Sequence, residues 1–132
     1  MARAPEPGLA HLDTHIVCWL YAGLPGLLSG PAADVIERSR LFVSPIIELE
    51  LQLLYEIGRI LKGPDAVFRT LSREIGLEVE PADFRRVVAA ARELTWTRDP
   101  FDRLIVAQAA LAGAELVTKD ALIRKHCTFA VW

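Results

Sequence analysis

Asp99 and Asp102 stand three residues apart in the run Arg98-Asp99-Pro100-Phe101-Asp102-Arg103, just before Leu104-Ile105-Val106-Ala107-Gln108-Ala109-Ala110. The helix this run predicts is apolar almost all round, so it must be buried. Two carboxylates at the head of a buried helix either cap it or aim negative charge into a site. Capping accounts fully for Asp99, with Pro100 at the first helical position. It accounts less well for Asp102, although an acid in the first turn does suit the helix dipole. A helix this apolar must begin close to the core, and a carboxylate one turn in comes with it.

Three more acids stand where chemistry is possible. Asp13 follows the short apolar run 9–12 and precedes a predicted helix, where an N-cap is the ordinary role. Glu50 lies on a helix predicted to start at Ser44-Pro45. There it shares a face with Ile46, Leu53, Leu54, Ile57 and Leu61. A carboxylate in an apolar stripe needs a cation, an arginine partner or strong donors. Glu48 sits instead with Gln52, Tyr55, Arg59 and Lys62 and reads as solvated. Asp120 follows a short apolar run and starts a brief helix, again a capping position.

The elements that must position these acids alternate. Short β-like runs are predicted at 9–12, 41–43, 77–79, 115–118 and 128–131. Helices are predicted at 14–22, 32–40, 45–61, 65–75, 81–94, 100–112 and 119–125, with a Gly/Pro-rich loop at 24–31. Strands separated by helices imply a mostly parallel four- to five-stranded sheet in a three-layer α/β/α sandwich. Ligands of such sheets bind beyond the carboxyl ends of the strands. The residues at those ends are Asp13-Thr14, Ser44-Pro45, Glu80 and Thr118-Lys119-Asp120.

Each acid alone has an ordinary explanation. Their joint placement brings Asp13, Glu50, Asp102 and Asp120 toward one end of the sheet. Carboxylates gathered there repel one another unless a hard cation sits among them, and Mg²⁺ or Mn²⁺ is the natural occupant. One or two such ions activate water and stabilise an in-line attack on a phosphodiester, which is the chemistry of a metal-dependent nuclease.

The bulk numbers agree. The chain has 132 residues, enough for one domain with a real core, and 52% of them are hydrophobic. That surplus hints at apolar surface covered by a partner. A net charge of −2 gives no global pull toward nucleic acid or anionic membrane, so a phosphate-bearing substrate requires local cations. Cys18 and Cys127 form no ligand pattern and read as free thiols of a reducing cytoplasm. The first eight residues read as a flexible extension without a signal-peptide core, and the apolar run 16–28 is too short and too broken to span a bilayer.

The motifs Leu12-Asp13-Thr14-His15, Val43-Ser44-Pro45 through Glu50-Leu51, Asp99-Pro100-Phe101-Asp102-Arg103 with Ala107-Gln108-Ala109, and Val117-Thr118-Lys119-Asp120 occur in this order. In that arrangement, from residue 12 to 132, the chain resembles a PIN-domain ribonuclease of the VapC toxin type. The resemblance implies a single PIN domain and a Mg²⁺- or Mn²⁺-dependent endoribonuclease of a bacterial toxin–antitoxin pair. It also implies a homodimer and a cognate VapB-type antitoxin crossing the acidic groove. By position, Asp13, Glu50, Asp102 and Asp120 match the acidic quartet that binds metal and carries catalysis. Asp99, Thr14 and Thr118 match supporting residues. Arg98, Arg103 and Lys119 flank the acids and are candidates for holding the RNA backbone. His11, His15 and His126 lack zinc-like spacing.

Two other readings compete. A receiver-like phosphoacceptor domain is also α/β with acids, a Thr and a Lys at strand ends. It needs a close acid pair after its first strand, where this chain has Thr14-His15, and it leaves Glu50 unexplained. A catalytically silent PIN-like module would bind RNA or protein only, and the full set of acids argues against it.

Overall fold

A computed structural model describes residues 8–132; the expected extension, apart from Gly8, lies outside the described residues. Gly8 is already tied to the sheet, because its carbonyl accepts from the Arg40 amide at 2.9 Å.

The strands are β1 (Leu9–Leu12), β2 (Arg40–Val43), β3 (Glu78–Val79), β4 (Glu115–Val117) and β5 (Ala130–Val131). They form one sheet in the order β3-β2-β1-β4-β5, and every pairing is parallel. Ala10, His11 and Leu12 are buried in succession, as are Leu41, Phe42 and Val43. Consecutive side chains of a strand point to opposite faces, so both faces of the sheet are covered. The helices that cover it are α1 (Thr14–Tyr21), α2 (Gly30–Arg38), α3 (Ile46–Glu56), α4 (Pro64–Ile75), α5 (Phe84–Ala91), α6 (Pro100–Leu111) and α7 (Ala121–His126). The three-layer parallel architecture expected from the sequence is the one observed.

Strand order reverses between β1 and β4. From β1 the chain builds outward to β2 and β3; it then crosses back to place β4 and β5 on the other side. That switch point leaves a crevice at the carboxyl ends of β1 and β4.

Several boundaries move, each for a local reason. The helix expected to run to residue 61 stops at Glu56, because Gly58 takes a left-handed φ of 78° that ends the helical path. The helix expected from residue 81 starts at Phe84, with Asp83 Oδ1 accepting from the Arg86 amide at 3.3 Å. The helix expected at 32–40 begins two residues earlier behind a Ser29 cap and leaves Arg40 to β2. Lys119 lies outside α7, which begins after Asp120.

The face of α3 also differs from the expected stripe. Its buried residues are Ile47 and Leu51. Leu53 is 41% exposed, Ile57 69% and Leu61 89%. Glu50 therefore sits on the margin of the buried face, half-buried, rather than inside an apolar stripe. The 3.6-residue period allowed two neighbouring faces, and tertiary packing chose the other one.

Gln108 fixes α6 to the sheet. Its Nε2 donates to the Glu80 carbonyl at 2.9 Å and to Glu80 Oε1 at 3.0 Å. Glu80 Oε1 also lies 3.0 Å from Nε2 of His11, which is fully buried in β1. Burial holds the His11 pKa below its ordinary value, against the opposing pull of Glu80.

The packing of α3 predicts an asymmetry. Leu51→Ala should cost about 2–5 kcal/mol, the range for a fully buried leucine. Leu53→Ala should cost less than about 1 kcal/mol, since surface changes are small. Urea midpoints at unchanged slope measure both, and equal losses would contradict the assigned face.

Candidate active site

Asp13 ends β1 and caps α1. Its Oδ1 accepts from the Thr14 amide at 2.8 Å, and its own amide donates to the Val117 carbonyl of β4 at 3.0 Å. Its Oδ2 accepts from Thr118 Oγ1 at 2.6 Å, across the switch point. Asp13, Thr14 and Thr118 are all buried. Thr118 Oγ1 in turn accepts from the Asp120 amide at 3.1 Å, and Asp120 Oδ1 caps α7 through the Ile123 amide at 2.9 Å.

Thr14 links the first acid to the second. Its hydroxyl donates to Glu50 Oε1 at 2.5 Å. Glu50 is thus held by the kind of strong donor that its half-buried position requires. Asp99 behaves as a cap: Oδ1 accepts from the amides of Phe101 at 2.9 Å and Asp102 at 3.3 Å.

Asp102 differs from the rest. Its half-buried carboxylate has no hydrogen-bond donor and no ion-pair partner among the described residues. Burial, and then the charges of Asp99, Asp13, Asp120 and Glu50, push its pKa up from 3.8 to about 7. Burial also raises Asp13, against the opposing bonds from Thr118 and Thr14. Burial raises Glu50 too, with Asp13 and Asp99 adding to the shift and the Thr14 hydroxyl resisting it. The structure therefore brings Asp13, Glu50, Asp120 and Asp99 within electrostatic reach of Asp102 at one end of the sheet.

The donor set is the set a hard divalent cation selects: carboxylate oxygens, with no thiolate or imidazole among them. Among the described residues no three acidic, His or Cys side chains are already drawn into a ligand cage. Mg²⁺ does not require one, since it keeps waters and takes only one or two carboxylates directly. An excess of negative charge, which the nearby His15 offsets only in part and which no ion pair among the described residues neutralises, fits such an ion.

The flanking cations are placed differently from one another. Arg98 is exposed, and its Nη1 donates to the Thr95 carbonyl at 2.8 Å. Arg103 donates from Nε to the Thr97 carbonyl at 2.8 Å. Both guanidinium groups thus brace the loop that leads into Asp99. Lys119 is exposed and lies against two indole rings. Sequence reasoning missed the Glu80–His11–Gln108 network. Glu80 had a signal, since it ends β3 as Asp13 ends β1, but its partners lie 69 and 28 residues away.

The raised pKa of Asp102 sets a pH dependence. The folded chain keeps this proton up to about pH 7, whereas the unfolded chain releases it near 3.8. Between those values the native state binds more protons, so its stability falls as pH rises. In EDTA, Asp102→Asn should gain in melting temperature over the parent progressively from pH 4 to pH 7. Parallel melting curves would show that Asp102 is not strained in the fold.

The family model of the PIN domain matches residues 10–127. The chain is 35% identical over 119 residues to Ribonuclease VapC22 of Mycobacterium tuberculosis, covering 87% of this chain and 89% of that protein. Two solved structures share the fold. One is VapBC2 from Rickettsia felis bound to a DNA fragment from its promoter, with TM-score 0.64 and 20% identity over 89% of this chain and 92% of that one. The other is a toxin–antitoxin complex from Klebsiella pneumoniae, with TM-score 0.65 and 18% identity over 93% and 96%. With its parallel sheet, its acids at the switch point and these matches, the chain belongs to the PIN-domain family, among its VapC-type members.

Proposed function

We propose that this chain is a divalent-metal-dependent endoribonuclease acting as the toxin of a bacterial toxin–antitoxin pair. The observation that carries this reading is the Asp102 carboxylate, half-buried amid four other acids and without donor or cation among the described residues. A purely structural role leaves it unexplained, because burial and the neighbouring acids both disfavour its ionised form and no donor or cation among the described residues compensates. The ribonuclease name of the 35% identical relative supports RNA as the substrate class.

Asp13, Glu50, Asp102 and Asp120 would hold Mg²⁺ or Mn²⁺. When bound, the ion supplies a water of lowered pKa and offsets the charge of the scissile phosphodiester. Thr118 and Thr14 fix the orientation of Asp13 and Glu50, as outer partners of metal ligands do. Asp99 sets the start of α6 and so the position of Asp102. Lys119 engages the RNA backbone; Arg98 and Arg103 hold the neighbouring loop and have further donors for phosphate.

The solved relatives in complex with antitoxins support a VapB-type partner here. So does the exposure of Leu49, Leu53, Ile57, Leu61 and Phe84, large apolar side chains that a second copy or an antitoxin would cover. No helix of the described residues is long and apolar enough to cross a membrane. A cytoplasmic place of action follows from the RNA substrate.

Asp102→Asn should abolish cleavage of RNA in Mg²⁺ or Mn²⁺ while keeping a cooperative melt. Thr118→Val should lower activity by about 10–100-fold, the usual cost of removing an outer partner. EDTA should silence the parent, and added divalent ion should restore it. Near-parental cleavage by Asp102→Asn would overturn the assignment. Calorimetric titration with Mn²⁺ separates the nuclease from a silent module, which would take up no ion at these acids.

A further inference from the structure

Beside the acids lies an aromatic cluster that the scheme above does not use. His15 and Trp19 stand one turn apart on α1, the helix that Asp13 caps. Trp132 reaches the same place from β5. The register Val117↔Val131 carries it alongside Thr118, and the Thr118 amide donates to the Val131 carbonyl at 3.1 Å. The two indole rings lie 5.9 Å apart at 55°, and the His15 ring lies 6.5 Å from Trp19 at 57°. Lys119 Nζ sits 5.8 Å from each indole centroid. Among the described residues it makes no ion pair, although Asp120 is its neighbour in sequence. His15, Trp19, Lys119 and Asp120 line a hollow of about 290 Å³.

The apolar core explains part of this. Trp19 and Trp132 pack against the main core and are only partly buried. Core packing does not account for a hollow beside Trp19 that is also lined by the His15 imidazole, the Asp120 carboxylate and an ammonium, Lys119, that makes no ion pair among the described residues. That combination matches a nucleotide, which offers a flat π face and an anion together. Bases of single-stranded RNA stack on aromatic side chains regardless of sequence. The cation also disfavours the obvious alternative. A basic side chain of a protein partner, drawn by the acids, would meet the Lys119 ammonium in the lining.

We propose that this hollow binds the nucleotide adjoining the scissile phosphodiester, with its base against Trp19 and His15 and its phosphate on Lys119. The proposal rests on the nuclease reading for the word scissile and makes its own claim about binding. It places the aromatic subsite directly beside Asp120 and Asp13, so the stacked base would set the register of the backbone over the acids.

The test uses the full chain carrying Asp102→Asn, in Mg²⁺, so that binding is read without cleavage. Single-stranded hexamers of adenylate, uridylate or cytidylate are titrated against indole fluorescence, alongside a hexamer of abasic ribose phosphates. The expected result is saturable quenching by the base-bearing hexamers and little by the abasic one. Trp19→Leu should weaken binding about 5- to 150-fold, the range for loss of one stacked base. His15→Ala, an exposed change that leaves the core alone, should weaken it less, and Trp19→Phe should restore part of the loss. Lys119→Gln should reduce the salt slope by about one. Equal affinity of abasic and base-bearing hexamers, or unchanged binding by both His15→Ala and a folded Trp19→Leu, would overturn the proposal. So would intact RNA binding with lost affinity for a co-expressed antitoxin, which would give the hollow to a protein. Base-dependent quenching in a chain that cleaves no RNA would uphold the subsite and defeat the nuclease reading; cleavage by the parent chain without quenching by base-bearing hexamers would do the reverse.

Discussion

The bond from Thr118 Oγ1 to Asp13 Oδ2 crosses the seam at which the sheet reverses its strand order. Around that seam the chain must do two opposing things. It must bury the ends of β1 and β4 between helices, and it must keep a carboxylate there. A buried carboxylate without donors would take up a proton. Thr118 and the Thr14 amide supply donors to both oxygens of Asp13, and the Asp13 amide is bonded to β4 as well. The acid is thereby made part of the sheet. The other acids are referenced to it: Glu50 through the Thr14 hydroxyl, Asp120 through Thr118.

This arrangement holds like charges together by hydrogen bonding to neutral groups rather than by ion pairing. None of the ion pairs among the described residues involves Asp13, Glu50, Asp99, Asp102 or Asp120. Pairing would stabilise the acids but would also neutralise the site. Capping achieves placement without neutralisation, because amide and hydroxyl donors orient an oxygen and leave its other lone pairs free. Asp13, Asp99 and Asp120 are all caps, and their helices radiate from one end of the sheet. Asp102 alone among these acids has no such support from the described residues, and burial followed by the charges of Asp99, Asp13, Asp120 and Glu50 raises its pKa. The fold therefore disfavours ionisation most strongly at that group, and a cation beside it would favour the carboxylate form.

The position of Asp102 depends in turn on α6, and α6 is held far from its start. Gln108 ties the helix to Glu80 at the end of β3, and Glu80 meets His11 inside β1. This polar contact spans three elements in an otherwise apolar layer. It fixes how far α6 slides along the sheet, and so where the first turn of α6 presents its carboxylate. Braces from Arg98 and Arg103 to the Thr95–Thr97 backbone fix the incoming loop at the other end.

Much of this was legible in the chain alone. Alternating β-like and helical runs gave the parallel α/β class, and Asp99-Pro100-Phe101-Asp102 announced a capped, buried helix, because capping and periodicity are local. The acids at strand ends were visible for the same reason. Three things were not. Periodicity could not decide which face of α3 is buried, since Ile47 and Leu51 fit a helical stripe as well as Glu50's neighbours do, and only the packing against the sheet chose. The partner of Glu50 lies 36 residues away, those of Glu80 lie 69 and 28 away, and Lys119 meets one indole from each end of the chain, Trp19 and Trp132, so no spacing rule reaches them. And the switch between β1 and β4 is a property of strand order, which the sequence of elements does not state. The residue types and their local geometry belong to the sequence; the convergence of Asp13, Glu50, Asp102 and Asp120 belongs to the tertiary fold, because like charges come together only where an entire core holds the elements that carry them.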